Sequence, residues 1–254
     1  MKKSIISVAV LCAASLIFAG CGGSSPASET TAQSAPETTT QSAPEMTAQS
    51  APVSESVTDS EKKEGTAEKA DSPKKAIAVY FSRVGNTEFP ENVDVVSSAS
   101  LQADGSSVKG NAQLIAEWIA GEAGCDTFEI VSEESYPADY DQTVEQAKNE
   151  QNENFRPTLK TVLENPGQYD DIYLVFPNWW GDLPMPVYSF FDTYDFSGKT
   201  IKVFITHEGS HFSNTIDTIR NLEPEAEIIE GLDIRGESVK DEEKNIRTWV
   251  QENK

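Results

Sequence analysis

Cysteine, histidine and positive charge are scarce in this chain, and each shortage removes a class of function. Three cysteines occur among 254 residues, Cys12, Cys21 and Cys125, and only Cys125 lies in a stretch able to fold. A lone thiol makes no disulfide, no C-x-x-C pair and no cysteine zinc site, so Cys125 reads as buried filling. Lysine and arginine number 20 against 42 acidic residues, a formal net charge of −22. That balance opposes nucleic-acid binding, which needs basic surface to displace counterions. Histidine occurs twice, and both copies fall in one pentapeptide, "HEGSH", His207 to His211. H-E-x-x-H is how a zinc protease helix presents two ligands and a general base, so the spelling has to be weighed against its surroundings.

The amino-terminal stretch "MKKSIISVAVLCAASLIFAGC" has a Lys2-Lys3 start, an apolar run from Ile5 to Phe18 and small residues before Cys21. It reads as a secretory signal over residues 1–20, too short and wrongly flanked for a permanent membrane helix. Phe18-Ala19-Gly20-Cys21 resembles the lipobox of bacterial lipoproteins, with Phe18 where an aliphatic residue is commoner. The resemblance implies cleavage before Cys21 and acylation of its thiol. Residues 21–75 are rich in Ser, Thr, Ala, Pro and Glu, with Gln-Ser-Ala-Pro recurring at Gln33, Gln41 and Gln49. Such a composition buries too little apolar surface to offset ordering entropy, and predicts a disordered tether between anchor and domain.

Residues 76–254 are long enough for one core. "AIAVYF" (Ala76–Phe81), "TFEIV" (Thr127–Val131), "DIYLVF" (Asp171–Phe176), "TIKVFIT" (Thr200–Thr206) and "AEIIEGL" (Ala226–Leu232) read as strands, several nearly continuous in apolar character. Helical patterns separate them, among them "NAQLIAEWIAGEAG", with Leu114, Ile115, Trp118 and Ile119 on one face and Gly121 or Gly124 at its end. Strand–helix alternation predicts a doubly wound α/β fold with a parallel sheet covered on both faces. Ligands of such sheets bind beyond the carboxyl ends of the strands, which directs attention to the loops after Phe81, Phe176 and Thr206.

The first of these, "SRVGNT", places Ser82, Arg83, Val84, Gly85, Asn86 and Thr87 directly after a strand, a nest of neutral donors suited to phosphate. It lacks the Gly-Lys-Ser/Thr of a nucleoside triphosphate site. In the second, Pro177, Asn178, Trp179, Trp180 and Gly181 leave a buried strand, and the two indoles suit stacking on an aromatic ligand. The third holds Thr206, His207, Glu208, Gly209 and Ser210. It leaves no room for a helix before His207, and a glycine inside the required turn costs about 1 kcal/mol against alanine. Glu223, Glu225, Glu227 and Glu230 remain as third ligands for a zinc reading. Tyr136 and Tyr140 are available to cover a ligand.

"AVYFSRVGNT", "VFPNWWGDLPMPVYSFFDTYDFSGKTI", "ITHEGSHF" and "GLDIRG" resemble, in order and spacing, the flavodoxin family, most closely flavodoxin-like proteins with a Trp-Trp second loop. The resemblance implies a five-stranded parallel sheet of order 2-1-3-4-5 and FMN bound noncovalently by the three loops. Carried over, Ser82, Gly85, Asn86 and Thr87 match the phosphate loop, Pro177 to Gly181 the second loop and Thr206 to Ser210 the third, so the zinc spelling becomes coincidence. Val84 stands where a hydroxyl residue is usual; the lost donor to a charged phosphate is worth on the order of 1.5–3 kcal/mol, unless Arg83 compensates. An insertion, residues 88–109, separates the first loop from the helix at Asn111. Val95, Val96 and Val108 around Asp104-Gly105 suggest a hairpin or flap, which bears on whether that helix still points at the phosphate.

With FMN present, the expected role is electron transfer or flavin-dependent reduction at the outer face of the membrane, with a redox protein or a small acceptor such as a quinone as partner. Indole stacking and Glu208 favour the neutral oxidised ring, hence a low reduction potential. The resemblance also implies that the Gly181–Asp182 peptide turns to meet the reduced ring. "MKKS" has no twin arginine, so FMN is expected to be acquired outside the cell membrane. A lipoprotein that keeps the fold without flavin and, more distantly, a zinc protease are the alternatives.

Overall fold

A computed structural model describes residues 74–90, 99–104 and 107–254; the signal, Cys21, the tether up to Pro73, and Val95 and Val96 lie outside the described residues. Among the described residues seven strands and five α-helices follow in chain order: β1 (Ala76–Phe81), β2 (Leu101–Asp104), β3 (Ser107–Gly110), α1 (Asn111–Ala123), β4 (Asp126–Ile130), α2 (Tyr140–Glu153), β5 (Asp171–Pro177), α3 (Met185–Thr193), β6 (Thr200–His207), α4 (Thr215–Leu222), β7 (Glu227–Arg235) and α5 (Glu243–Glu252). The main sheet runs β4-β1-β5-β6-β7 with every pair parallel. Numbered among themselves, those strands stand in the expected order 2-1-3-4-5. The small pair β2–β3 is antiparallel, a hairpin inside the insertion.

Alternation along the strands divides the core into two layers. Ile77, Val79 and Phe81 of β1 pack with Ile172, Leu174 and Phe176 of β5 and with Val187, Phe190, Ile216 and Ile219 of α3 and α4. Ala78 and Tyr80 turn the other way, joining Tyr173, Val175 and Phe204 against Ile115 and Ile119 of α1 and Ile246 and Val250 of α5. Both faces of β1, β5 and β6 are therefore buried, which is why their sequences read as nearly continuous hydrophobic runs, interrupted by the buried pair Asp171 and Lys202. α1 ends at Gly124, whose φ of +70° provides a left-handed cap without steric cost.

β7 is longer than its sequence pattern predicts and carries a bulge. Val203 pairs with Glu230, but Ile205 pairs with Asp233, so β7 gains one residue over β6. Gly231 lies at the irregularity, where a Cβ would come within 2.6 Å of the Val203 carbonyl oxygen. Only glycine admits that approach.

Candidate functional site

β1, β5 and β6 are adjacent and parallel, so their carboxyl ends bring the three predicted loops to one edge. The first loop is a turn, Arg83–Asn86, closed by the Asn86 N–H donating to the Arg83 carbonyl at 3.1 Å. Asn86 is turned into the protein: its carboxamide donates to the Ser82 and Ile130 carbonyls and accepts from the Ser132 N–H. Gly85 packs against Glu129, whose carboxylate would meet an added Cβ at 1.9 Å. Burial raises the Glu129 carboxyl above its usual range, with the Tyr80 hydroxyl bond working against it. The Val84 N–H donates to Ser82 Oγ at 3.2 Å, while the buried Thr87 hydroxyl has no partner among the described residues.

Ser82 faces a second element. A Cβ on Gly110 would lie 1.9 Å from Ser82 Oγ, so the start of α1 is pressed against the first loop despite the insertion. The first amides of a helix have no partner within it, and that of Asn111 is taken by the Ser100 carbonyl at 3.0 Å. Gly110 and Asn111 were not among the predicted site residues. The available signal was the repeated Gly-Asn pair, once in "VGNT" and again in "KGNA" at the head of the helical pattern.

Trp179 and Asp182 exchange two backbone hydrogen bonds at 3.1 Å, leaving Trp180 and Gly181 as a two-residue turn with φ of +55° and +78°. That conformation suits Gly181; for a bulky residue such as Trp180 it is a strained one, on the order of 1–3 kcal/mol. The indole of Trp180 is held by its N–H to the Val144 carbonyl at 3.1 Å and by the Lys148 ammonium over its ring. Trp179 packs edge-on against Phe81 and Tyr136, at 5.3 and 5.2 Å between ring centres, and donates to Ser100 Oγ. Tyr136 is buried under it, its hydroxyl donating to Glu150 at 2.7 Å. The Gly181 carbonyl accepts from the Asn214 N–H, so a turn of the Gly181–Asp182 peptide would break that bond.

In the third loop, "HEGSH" is not helical: His207 closes β6, residues 208–209 bend, and residues 211–214 form a turn. The Gly209 N–H donates to His207 Nδ1 at 2.7 Å, so the neutral ring carries its proton on Nε2, which faces Asp233 at 3.7 Å. His211 Nδ1 contacts the same carboxylate from the solvent side. His207, His211 and Asp233 thus converge, though not on the helix turn that a zinc protease uses. Asp233, on β7, was missed because its approach depends on the bulge.

The tail of the insertion is a fourth wall. The Ala99 N–H donates to the Glu208 carboxylate at 2.6 Å, and the Ala99 carbonyl accepts from Thr206 Oγ1 at 2.5 Å. Asn178 links the second and third loops, its N–H to the Thr206 carbonyl and its side-chain NH2 to the His211 carbonyl, leaving Oδ1 without a partner. Between these walls and α2 lies a cavity of about 310 Å³ lined by Arg83, Ala99, Ser100, Tyr140, Thr143, Val144, Ala147, Asn178, Trp179, Trp180, Gly181, Glu208 and Ser210. Seven of the predicted residues meet there. Ser82, Val84, Gly85, Asn86, Thr87, Pro177, Thr206, His207 and Gly209 do not line it; Asn178, Thr206, His207 and Gly209 shape its wall through the bonds just described.

The family model described as Flavodoxin matches residues 100–253, more than half of the chain, beginning after the first loop. Among solved structures, a presumed flavoprotein from Bacteroides uniformis ATCC 8492 is similar at 24% identity and a TM-score of 0.53, over 70% of this chain and 98% of that one. A presumed flavoprotein from Bacteroides eggerthii DSM 20697 is also 24% identical, with a TM-score of 0.52 over 70% of this chain and 96% of that one. A flavoprotein in complex with FMN from Lactobacillus acidophilus NCFM is 20% identical, with a TM-score of 0.45 over 67% of this chain and 99% of that one. No curated protein matches the sequence.

Proposed function

We propose a function from one premise: the chain belongs to the flavodoxin family. It binds FMN noncovalently and serves electron transfer, or flavin-dependent reduction of a small acceptor such as a quinone, at the outer face of the membrane through a lipid on Cys21. The observation that carries this reading is the cavity at the carboxyl edge of β1, β5 and β6, the edge where sheets of this order bind ligands.

The residues present fit the group. At about 310 Å³ the cavity is at the lower end of the range of ligand pockets. Trp179 and Trp180 present indoles to a planar ring, and the unpartnered Asn178 Oδ1 supplies an acceptor beside them. For the phosphate, Ser82 and the first turn of α1 adjoin, with Gly110 making their approach possible. Bound flavin would supply the redox chemistry, and the protein its position and electrostatics. Among the described residues no helix is long and apolar enough to cross a membrane.

The test is an absorption spectrum of the purified protein before and after FMN addition and desalting. Flavin bands that survive desalting, with quenched fluorescence, are the expected result. A colourless protein that cannot hold added FMN would replace this reading with that of a flavin-free binding lipoprotein.

A further inference from the structure

Arg83 is 3% exposed, yet among the described residues no carboxylate stands within ion-pairing distance of it. Its Nη2 donates to the Pro137 and Ala138 carbonyls at 3.1 and 2.9 Å and to Thr143 Oγ1 at 3.0 Å. Phe89 covers one face of the guanidinium at 5.2 Å, and Nε has no partner among the described residues. These neutral contacts hold the group in place, and Asp139 offsets its charge only from beyond ion-pairing distance, less than burial costs it. A buried charge is normally paired, because desolvation without a counter-charge costs several kcal/mol. Arg83 also lines the Trp179–Trp180 cavity, so the missing partner has a place to be.

We propose that this cavity is built for a planar ligand that carries negative charge in its working state, and that Arg83 is the residue that meets that charge. The proposal rests on the FMN reading. An oxidised flavin ring is neutral; after taking two electrons from dithionite and one proton from solvent it holds one net negative charge. Arg83 therefore stabilises the reduced form over the oxidised one. Glu208, on the same cavity, acts in the opposite direction, and the balance of the two sets the potential.

The experiment measures dissociation constants for oxidised FMN and oxidised riboflavin, and the midpoint potential of bound FMN, in wild type, Arg83→Lys and Arg83→Met. Circular dichroism and thermal melts check that each variant folds. For Arg83→Met, oxidised FMN and riboflavin should weaken by the same factor, to within about threefold of one another. Reduced FMN should weaken at least about tenfold more than oxidised FMN, a drop of about 30 mV for a two-electron couple. Arg83→Lys keeps the charge and should retain most of the potential, which separates this role from simple packing. An unchanged potential in Arg83→Met overturns the proposal. So does a selective loss of FMN over riboflavin, which would assign Arg83 to the phosphate. If Arg83→Met does not fold, a potential in Arg83→Lys shifted as far as about 30 mV would overturn it instead, and a retained one would uphold it. Wild type that holds no flavin removes the FMN reading and this inference together, whereas flavin held at an unchanged potential removes only the inference.

Discussion

His207 shows how one bond fixes a protonation state. It is 3% exposed, and its Nδ1 accepts the Gly209 N–H, a bond that an imidazolium cannot make. Burial holds its pKa below the ordinary 6.5; Asp233 pulls it up, and His211 and Arg235 push it further down. The unfolded chain takes up this proton as pH falls through about 6.5, the folded chain only at lower pH. The stability tied to a neutral His207 is therefore complete above about pH 6.5 and is lost progressively below it. Asparagine can keep an acceptor near Nδ1 without titrating. Melting temperatures recorded between about pH 7.5 and 5 should fall less in His207→Asn than in wild type, and equal slopes would assign the acid sensitivity elsewhere. Cys125, at the other face, is half-buried rather than the buried filling expected, and burial pushes its thiol up to about 11.

Among the secondary elements, the bulge in β7 has the largest structural reach. Side chains alternate along a strand, so one extra residue reverses which face every later residue occupies. The insertion at Gly231 is what pairs Asp233 with Ile205 and sets its carboxylate beside His207. Gly231→Ala would place a Cβ 2.6 Å from a backbone oxygen and 2.9 Å from the Phe204 ring, neither of which yields easily. A loss of about 1–3 kcal/mol in urea unfolding is expected, while Gly121→Ala, with its nearest neighbour at 3.6 Å, should be neutral or stabilising. An equal response from both would show that the bulge relaxes freely. The strands of the main sheet were legible because burial on both faces leaves nearly continuous apolar runs, as in Ala76–Phe81 and Asp171–Pro177. The hairpin around residue 105 was legible from its Asp-Gly. The bulge was not, since it depends on contact with Phe204. Nor were the walls at Ala99 and Ser100, whose partners lie far along the chain, or the burial of Arg83, a residue type that usually faces solvent.

For the whole molecule, the proposed anchor at Cys21 lies outside the described residues, and its test is correspondingly simple. Expressed in full in a bacterial host with lipoprotein processing, the chain should sediment with membranes. Cys21→Ser should move to the soluble extract with its fold intact, and retention of that variant on membranes would refute anchoring by a lipid at Cys21. The three loops were legible as one site because a parallel sheet delivers alternate segments to one edge; the fourth wall, from the insertion, was not. That wall is tied to residues 107 and 109 positions further along the chain, at Thr206 and Glu208. Contacts of such span form late, after nearer ones have shortened the loop to be closed. A chain emerging from a membrane pore amino end first would have β1 and the hairpin outside long before Thr206. Exported in that way, the cavity would close only when most of the domain had crossed, and a ligand would be taken up on the far side.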